Sequence, residues 1–263
     1  MDPDAKERRL QRVKRGAEVL APFVLLAALW QLASSNFPKY LFPPLLDVLW
    51  HTLAIFSTWA LLEEVLVTVG RITAGLVAAF LIGAALATLM TRSRAVDRFL
   101  ASLLNFFQGI PALSWIVFAI IWFHGTEPRI FFIMIMTSLP AFTFQVLDAL
   151  RAMSNDLFEM VLSFRPTRLK MFRAMVLPAI LPDILTAWKV NLGNASRVVV
   201  VAELVGATGG VGYELLQQQQ VFDMAGALAW TLQPVIFVLV LQNVITLVEQ
   251  SAFRYRAISE HLL

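Results

Sequence analysis

Five stretches without a single Asp, Glu, Lys or Arg run over 19–38, 72–91, 99–126, 130–147 and 224–248, with lengths of 20, 20, 28, 18 and 25 residues. About 20 apolar helical residues cross the roughly 30 Å hydrocarbon layer of a bilayer, so each window is long enough to span. A sixth apolar stretch, about 174–202, carries Asp183, Lys189 and Arg197 and reads as a span with polar residues inside it. The uncharged window 48–62 is shorter, follows Phe42-Pro43-Pro44 and holds His51, Ser57 and Trp59. That pattern suits a helix lying at the membrane interface. The expected fold class is an all-α polytopic membrane protein with six transmembrane helices.

Composition agrees. Of 263 residues 59% are apolar and 15% charged, with 20 Phe and a mean hydropathy of +0.72, against roughly 25% charged in an ordinary soluble domain. Too few polar side chains are present to cover a soluble globule, which excludes a disordered, fibrous or typical cytosolic chain. The absence of cysteine excludes a disulfide framework, Cys-ligated zinc, iron–sulfur clusters and Cys nucleophiles.

Sixteen of the 21 Lys and Arg residues fall on one side once the spans are drawn: six before the first, three between the second and third, five between the fourth and fifth, and two after the sixth. Lys39 and Arg129 lie on the other side, and Arg71, Lys189 and Arg197 lie inside or at the edge of spans. The positive-inside rule then places both termini in the cytoplasm. The basic N-terminus is followed by about 20 apolar residues with no evident small-residue cleavage site, so the first span is expected to stay as an anchor.

Three places break the apolar pattern. Pro111, in Gln108-Gly109-Ile110-Pro111-Ala112-Leu113-Ser114-Trp115, falls near the middle of the longest window. Proline removes an amide donor and clashes with the preceding turn, so this span must kink or unwind. Irregular backbone at that depth is tolerated only against protein or a water-filled cavity, which leaves a pathway lining and a packing kink both open. In the fifth span Lys189, Gly193, Ser196 and Arg197 share one broad helical arc, with Asn194 at its edge. Two cations there would attract an anion, or else pair with Asp183, Glu203 or backbone carbonyls. Arg71 reads as a structural partner of Glu63, Glu64 or a neighbouring helix, and the small residues Gly70, Gly75, Gly83 and Ala87 as a close-packing stripe. The third break is Arg151 to Pro182, where Asn155–Leu162 opens with good N-cap residues and should form a short helix ended or offset by Pro166. The basic residues that follow, interleaved with Leu169, Met171 and Phe172, suit either anionic lipid or a docking protein.

Glu159-Met160-Val161, then Phe172 and Val176-Leu177-Pro178-Ala179-Ile180-Leu181-Pro182, resemble the EAA-loop signature of the permease subunits of ATP-binding-cassette (ABC) importers. Thr68-Val69-Gly70-Arg71, Gly109–Trp115, and Val201-Ala202-Glu203 with Gly209-Gly210-Val211-Gly212-Tyr213 resemble further elements of that family, in order, over about residues 63–256. The resemblance points to the branch that imports nitrate, taurine, aliphatic sulfonates and related anions. Three departures stand out: Arg165-Pro166 replaces the usual loop glycine, Met160 and Val161 replace the alanines after Glu159, and Val117 and Phe118 replace a second proline after the third-span motif.

The resemblance implies a type I ABC-importer (MetI-like) fold in a bacterial inner membrane. Its parts would be a cytoplasmic segment 1–16, a first span and interfacial helix over 17–62, a permease core over 63–256 with its coupling loop at 151–178, and a cytoplasmic tail 257–263. It implies a coupling helix over 155–172 that docks on a cytoplasmic ATPase, with Asp156, Glu159, Ser163, Arg165, Pro166, Arg168 and Phe172 as contacts. Pro111, Ser114, Trp115, Lys189, Asn194 and Arg197 are the candidate pathway residues. Expected partners are a second permease chain, in a homodimer, a pair of ABC ATPases, a periplasmic substrate-binding protein and lipid; nucleic acid is not expected. The sequence holds no G-x-x-x-x-G-K-[ST] phosphate loop, so ATP and magnesium are assigned to the partner and no cofactor, metal or catalytic residue to this chain. A membrane enzyme lacks its parts, since His51, His124 and His261 are scattered and neither H-E-x-x-H nor G-x-S-x-G occurs. An ATP-independent secondary transporter would show internal repeats, and none is convincing. A structural subunit of a membrane enzyme complex is the remaining alternative.

Overall fold

The structure, a computed structural model, describes residues 3–252, with side chains from Leu20 to Ser251 and at Glu18, except those of Asn155, Leu157, Phe158 and Arg168. Its regular elements are helices: α1 (Pro3–Asn36), α2 (Leu45–Ser57), α3 (Trp59–Arg92), α4 (Arg94–Gly109), α5 (Ala112–Trp122), α6 (Thr126–Arg151), α7 (Asn155–Ser163), α8 (Arg168–Met171), a π-helical turn (Phe172–Val176), α9 (Leu177–Gly206), α10 (Val211–Gln220) and α11 (Met224–Ala252). Helices α3, α6, α9 with its lead-in from Leu169, and α11 are each long and apolar enough to cross a membrane, and the α4–α5 pair passes together as a fifth candidate. The apolar part of α1, Leu20–Asn36, falls just short. By length and composition the helices therefore reach five of the six expected spans.

The 99–126 window is not one rod. Ile110 is extended, Pro111 caps α5, and α4 and α5 meet at 92°. Proline disfavours helical geometry in the residue before it, so the break falls at Ile110-Pro111.

Close approach of α3 and α6 organises the core. Gly75 lies against the Met134 side chain and Gly83 against Phe142 and the Thr143 backbone. The eight-residue step on α3 matches an eight-residue step in the same direction on α6, so these helices run parallel. A chain that does this must return between them, and only α4–α5 lies there. Ala87 of the small-residue stripe is also buried, whereas a side chain on Gly70 would meet nothing. Helix α9 runs antiparallel to α6, with Asn191 bonded to Gln145 and Gly206 beside Arg129. Phe80, Phe142 and Trp188 from α3, α6 and α9 form a triangle of rings with centroids 5.5 Å apart. Helix α11 returns antiparallel to α9 and packs on α2 and α10 through Val48, Ile55, Val211, Ala225 and Trp230.

Candidate functional site

The bundle's two ends differ. At the end holding the starts of α3, α6 and α11, the carboxylate of Glu203 on α9 is 1% exposed. Arg71 Nη1 donates to it at 2.7 Å, the Thr68 hydroxyl lies 2.9 Å from both its oxygens, and the Gly212 amide donates at 2.9 Å. Arg71 also donates to Glu127 on α6 at 2.5 Å and to the Gly209 carbonyl at 2.8 Å, while the Val211 amide donates to Thr68 at 2.8 Å. The Gly210 amide donates to Glu64, and its φ of +107° is a conformation that glycine adopts without a Cβ penalty. A buried carboxylate is tolerable when its charge is paired and its oxygens are hydrogen-bonded, as they are here. The loop Gly209–Gly212 is thus stitched to α3 and α9. The neighbouring helices supply the partners of Arg71, through Glu127 of α6 and Glu203 of α9, and not Glu63 or Glu64; Glu203 thereby pairs with Arg71 and not with Lys189 or Arg197.

On neighbouring α10, burial pushes the Glu214 carboxyl above its usual range, and the charge of Glu64 pushes it the same way. The folded chain therefore holds this proton more tightly than the unfolded chain. The group's contribution is fully present below the unfolded carboxylate value and is lost as pH rises through the raised folded value. Glu214→Gln is expected to flatten that fall, which melting curves of wild type and variant across this range will show; parallel curves would refute it.

The candidate pathway residues do not form one cluster. Pro111 is exposed at the α4–α5 break and Ser114, half-buried in the first turn of α5, donates its amide to the Pro111 carbonyl at 2.9 Å. Trp115 is 6% exposed and packs edge-on against Phe107, Phe118 and Phe132, its indole nitrogen unpartnered among the described residues. It anchors the break to the core rather than facing open space. Lys189 donates to Glu249 on α11 at 2.6 Å, so its charge is answered within the chain. Asn194 and Arg197 are exposed. Arg197 lines a cleft of about 400 Å³ between α9 and α11, and no carboxylate among the described residues pairs with it.

At the opposite end, α7 stands on the turn after α6. Ser163, whose hydroxyl donates to the Met160 carbonyl, closes it, and Phe164, Arg165, Pro166 and Thr167 separate it from α8. The expected helix over 155–172 is therefore two helices and a π-helical turn. Arg165 occupies the left-handed region, φ +47°, where glycine is the unstrained residue. Asp156, Glu159, Ser163 and Arg165 are exposed, Pro166 is half-buried and Phe172 is exposed; the Arg168 side chain lies outside the described residues. Met160, Leu162, Phe164, Leu169 and Phe172 are exposed as well, Phe164 by 79%. Apolar side chains mixed with charges on a cluster of short helices form a surface suited to protein contact.

Residues 72–254 match the family model described as binding-protein-dependent transport system inner membrane component. The chain is 28% identical over 197 residues to the taurine transport system permease protein TauC of Escherichia coli (strain K12), covering 72% of this chain and 71% of that protein. It is 30% identical to a probable ABC transporter permease protein of Brucella melitensis, covering 69% and 74%. A bicarbonate transport system permease protein, CmpB of Synechocystis, is 24% identical over 76% of each chain. In fold the chain is similar to a chain of the inward-facing MetNI methionine ABC transporter, with a TM-score of 0.64 and 20% identity over 74% of this chain and 96% of that one.

Proposed function

The chain belongs to the family of binding-protein-dependent transport system inner membrane components, and from that premise we propose how this permease subunit is oriented, what assembles with it and what passes through it. It is a multi-pass inner-membrane transport subunit. Six spans with both termini in the cytoplasm are supported by the distribution of basic residues, α1 supplying the span that its described part leaves short. In this orientation the Glu203 end is external and α7 is cytoplasmic.

Two copies of the chain form the pathway, two cytoplasmic ATPases drive it, and an external binding protein delivers a small anion such as a sulfonate, nitrate or bicarbonate. Transport names among the relatives support that class. The observation that carries the pathway is Arg197, a cation on an apolar span with no carboxylate partner among the described residues. Facing hydrocarbon it would be costly, and facing a route for anions it has a use. Pro111, Ser114 and Asn194 complete the proposed lining, with Lys189 neutralised by Glu249 and Trp115 supporting the break from behind.

Closure of the ATPases would move α7 and α8 as a unit, and the π-helical turn hands that motion to α9. Mass spectrometry of what co-purifies with the tagged chain from native membranes tests the assembly: an ABC ATPase is expected, and the chain alone, transporting without ATP, would overturn the reading. Charge reversal at Arg168 or alanine at Glu159 is expected to lower recovery of that ATPase several-fold and to uncouple uptake from ATP. Unchanged recovery and coupled uptake would remove these residues from the docking surface.

A further inference from the structure

The end of the bundle opposite Glu203 holds a groove whose depth in the membrane is set by α3. Between Arg71, in the Glu203 cluster, and Arg92, the last residue of α3, residues 72–91 carry no charge. They cover about 30 Å, the thickness of the hydrocarbon layer. Arg71 is fastened at one edge of that layer, so Arg92 stands at the other, at the depth of the phospholipid headgroups. There it lines a groove of about 610 Å³ together with Met171, Phe172 and Val176. Phe172 and Val176 are the two ends of the π-helical turn, and Phe172 is 47% exposed.

The groove joins one cation to an apolar wall. No carboxylate among the described residues lies within ion-pair distance of Arg92. The segment 165–176 that forms the wall carries Arg165, Arg168, Lys170 and Arg173 and neither Asp nor Glu. The local field is therefore positive, which favours an anionic headgroup over one bearing its own cation. A free inorganic anion would answer Arg92 and leave Met171, Phe172 and Val176 against water. A phospholipid supplies both partners, a phosphodiester for the guanidinium and hydrocarbon for the wall.

We infer that this groove binds an anionic phospholipid, its phosphodiester on Arg92 and the start of an acyl chain along Met171, Phe172 and Val176. The lipid thereby packs on the π-helical turn that joins α8 to α9. The inference rests on the chain's crossing the membrane, and neither on which side each end faces nor on what is transported.

The test takes the complex purified through the tagged chain, reconstitutes it in nanodiscs of equimolar phosphatidylglycerol and phosphatidylcholine, and counts retained lipids by native mass spectrometry. Retention is read on the permease chain itself, so it does not depend on the assembly proposed above. Phosphatidylglycerol is expected to be retained about fivefold over phosphatidylcholine, the ratio that one engaged cation at a membrane surface gives. Arg92→Gln should bring that ratio close to parity and Arg92→Lys should keep most of it. Arg98→Gln, which removes an exposed arginine of α4 outside the groove, should leave it unchanged. Equal retention of the two lipids by the wild type, or a ratio lowered alike by Arg92→Gln and Arg98→Gln, would overturn the site. Retained phosphatidylglycerol displaced by millimolar inorganic phosphate, but not by sodium chloride at the same ionic strength, would overturn the lipid in favour of a free anion. Loss of ATPase recovery in Arg92→Gln with the lipid ratio unchanged would overturn it in favour of a docking protein.

Discussion

Glu203→Ala is expected to destabilise the chain by about 3–5 kcal/mol, the cost of removing one member of a buried ion pair. That is a large share of the roughly 5–15 kcal/mol that holds a folded domain together. The change strands the Arg71 guanidinium, the Thr68 hydroxyl and the Gly212 amide, all of which point at the lost carboxylate. Thermal melting of the purified chain should show a large drop, and limited proteolysis should open a new site between Gly206 and Gly212. Glu203→Gln keeps one acceptor and the shape, so its loss should be smaller. A double-mutant cycle with Arg71→Ala separates pairing from packing: the double variant should be markedly less damaged than the sum of the singles. Strict additivity would show that the two residues do not act as a pair.

Valine at Gly75 or Gly83 is expected to be nearly as damaging by an unrelated route. A Cβ at Gly75 falls 2.8 Å from Met134 Cβ, and one at Gly83 falls 3.1 Å from the Thr143 backbone nitrogen. Neither neighbour is the free end of a long side chain, so the helices themselves must part, and overpacking of this kind costs about 1–3 kcal/mol or more. Gly70→Val is the internal control, because nothing stands within 4 Å of its added Cβ. Melting temperatures and yields of folded chain should fall for the first two and hold for the third. Equal losses at all three would mean that helix propensity, not close approach, sets the requirement for glycine.

Much of this architecture is legible in the sequence because the bilayer makes span length a direct readout. The charge-free windows became α3, α6 and α11, the polar apolar stretch became α9, and the proline inside the longest window became a right-angled break. The α7 helix does begin at Asn155, although Ser154 takes the N-cap position and no side chain caps it. What stayed hidden depends on contacts between distant residues, which neither periodicity nor composition carries. Arg71 and Glu203 are 132 positions apart, and nothing in the local sequence around either pairs the one with the other. Glu249, which merely ended a charge-free window, is the partner of Lys189. Trp115 reads as a polar-edged aromatic near a break, and only the packing of Phe107, Phe118 and Phe132 around it shows it to be core. One departure did carry its own signal: Arg165 stands where a glycine is usual, and the backbone there keeps the conformation that glycine would favour.

The fastening around Glu203 also turns α9 into a lever. Held near its Gly206 end by α3 and by the glycine loop, and joined at its Leu177 end through the π-helical turn to α8, the helix has a fulcrum and an arm about 39 Å long. A tilt of about 10° about that fulcrum would sweep the Leu177 end through about 7 Å, while Arg197, nearer the fulcrum, would move less than half as far. A push on the short helices α7 and α8 would therefore arrive at the cleft geared down, as a small displacement delivered with more force.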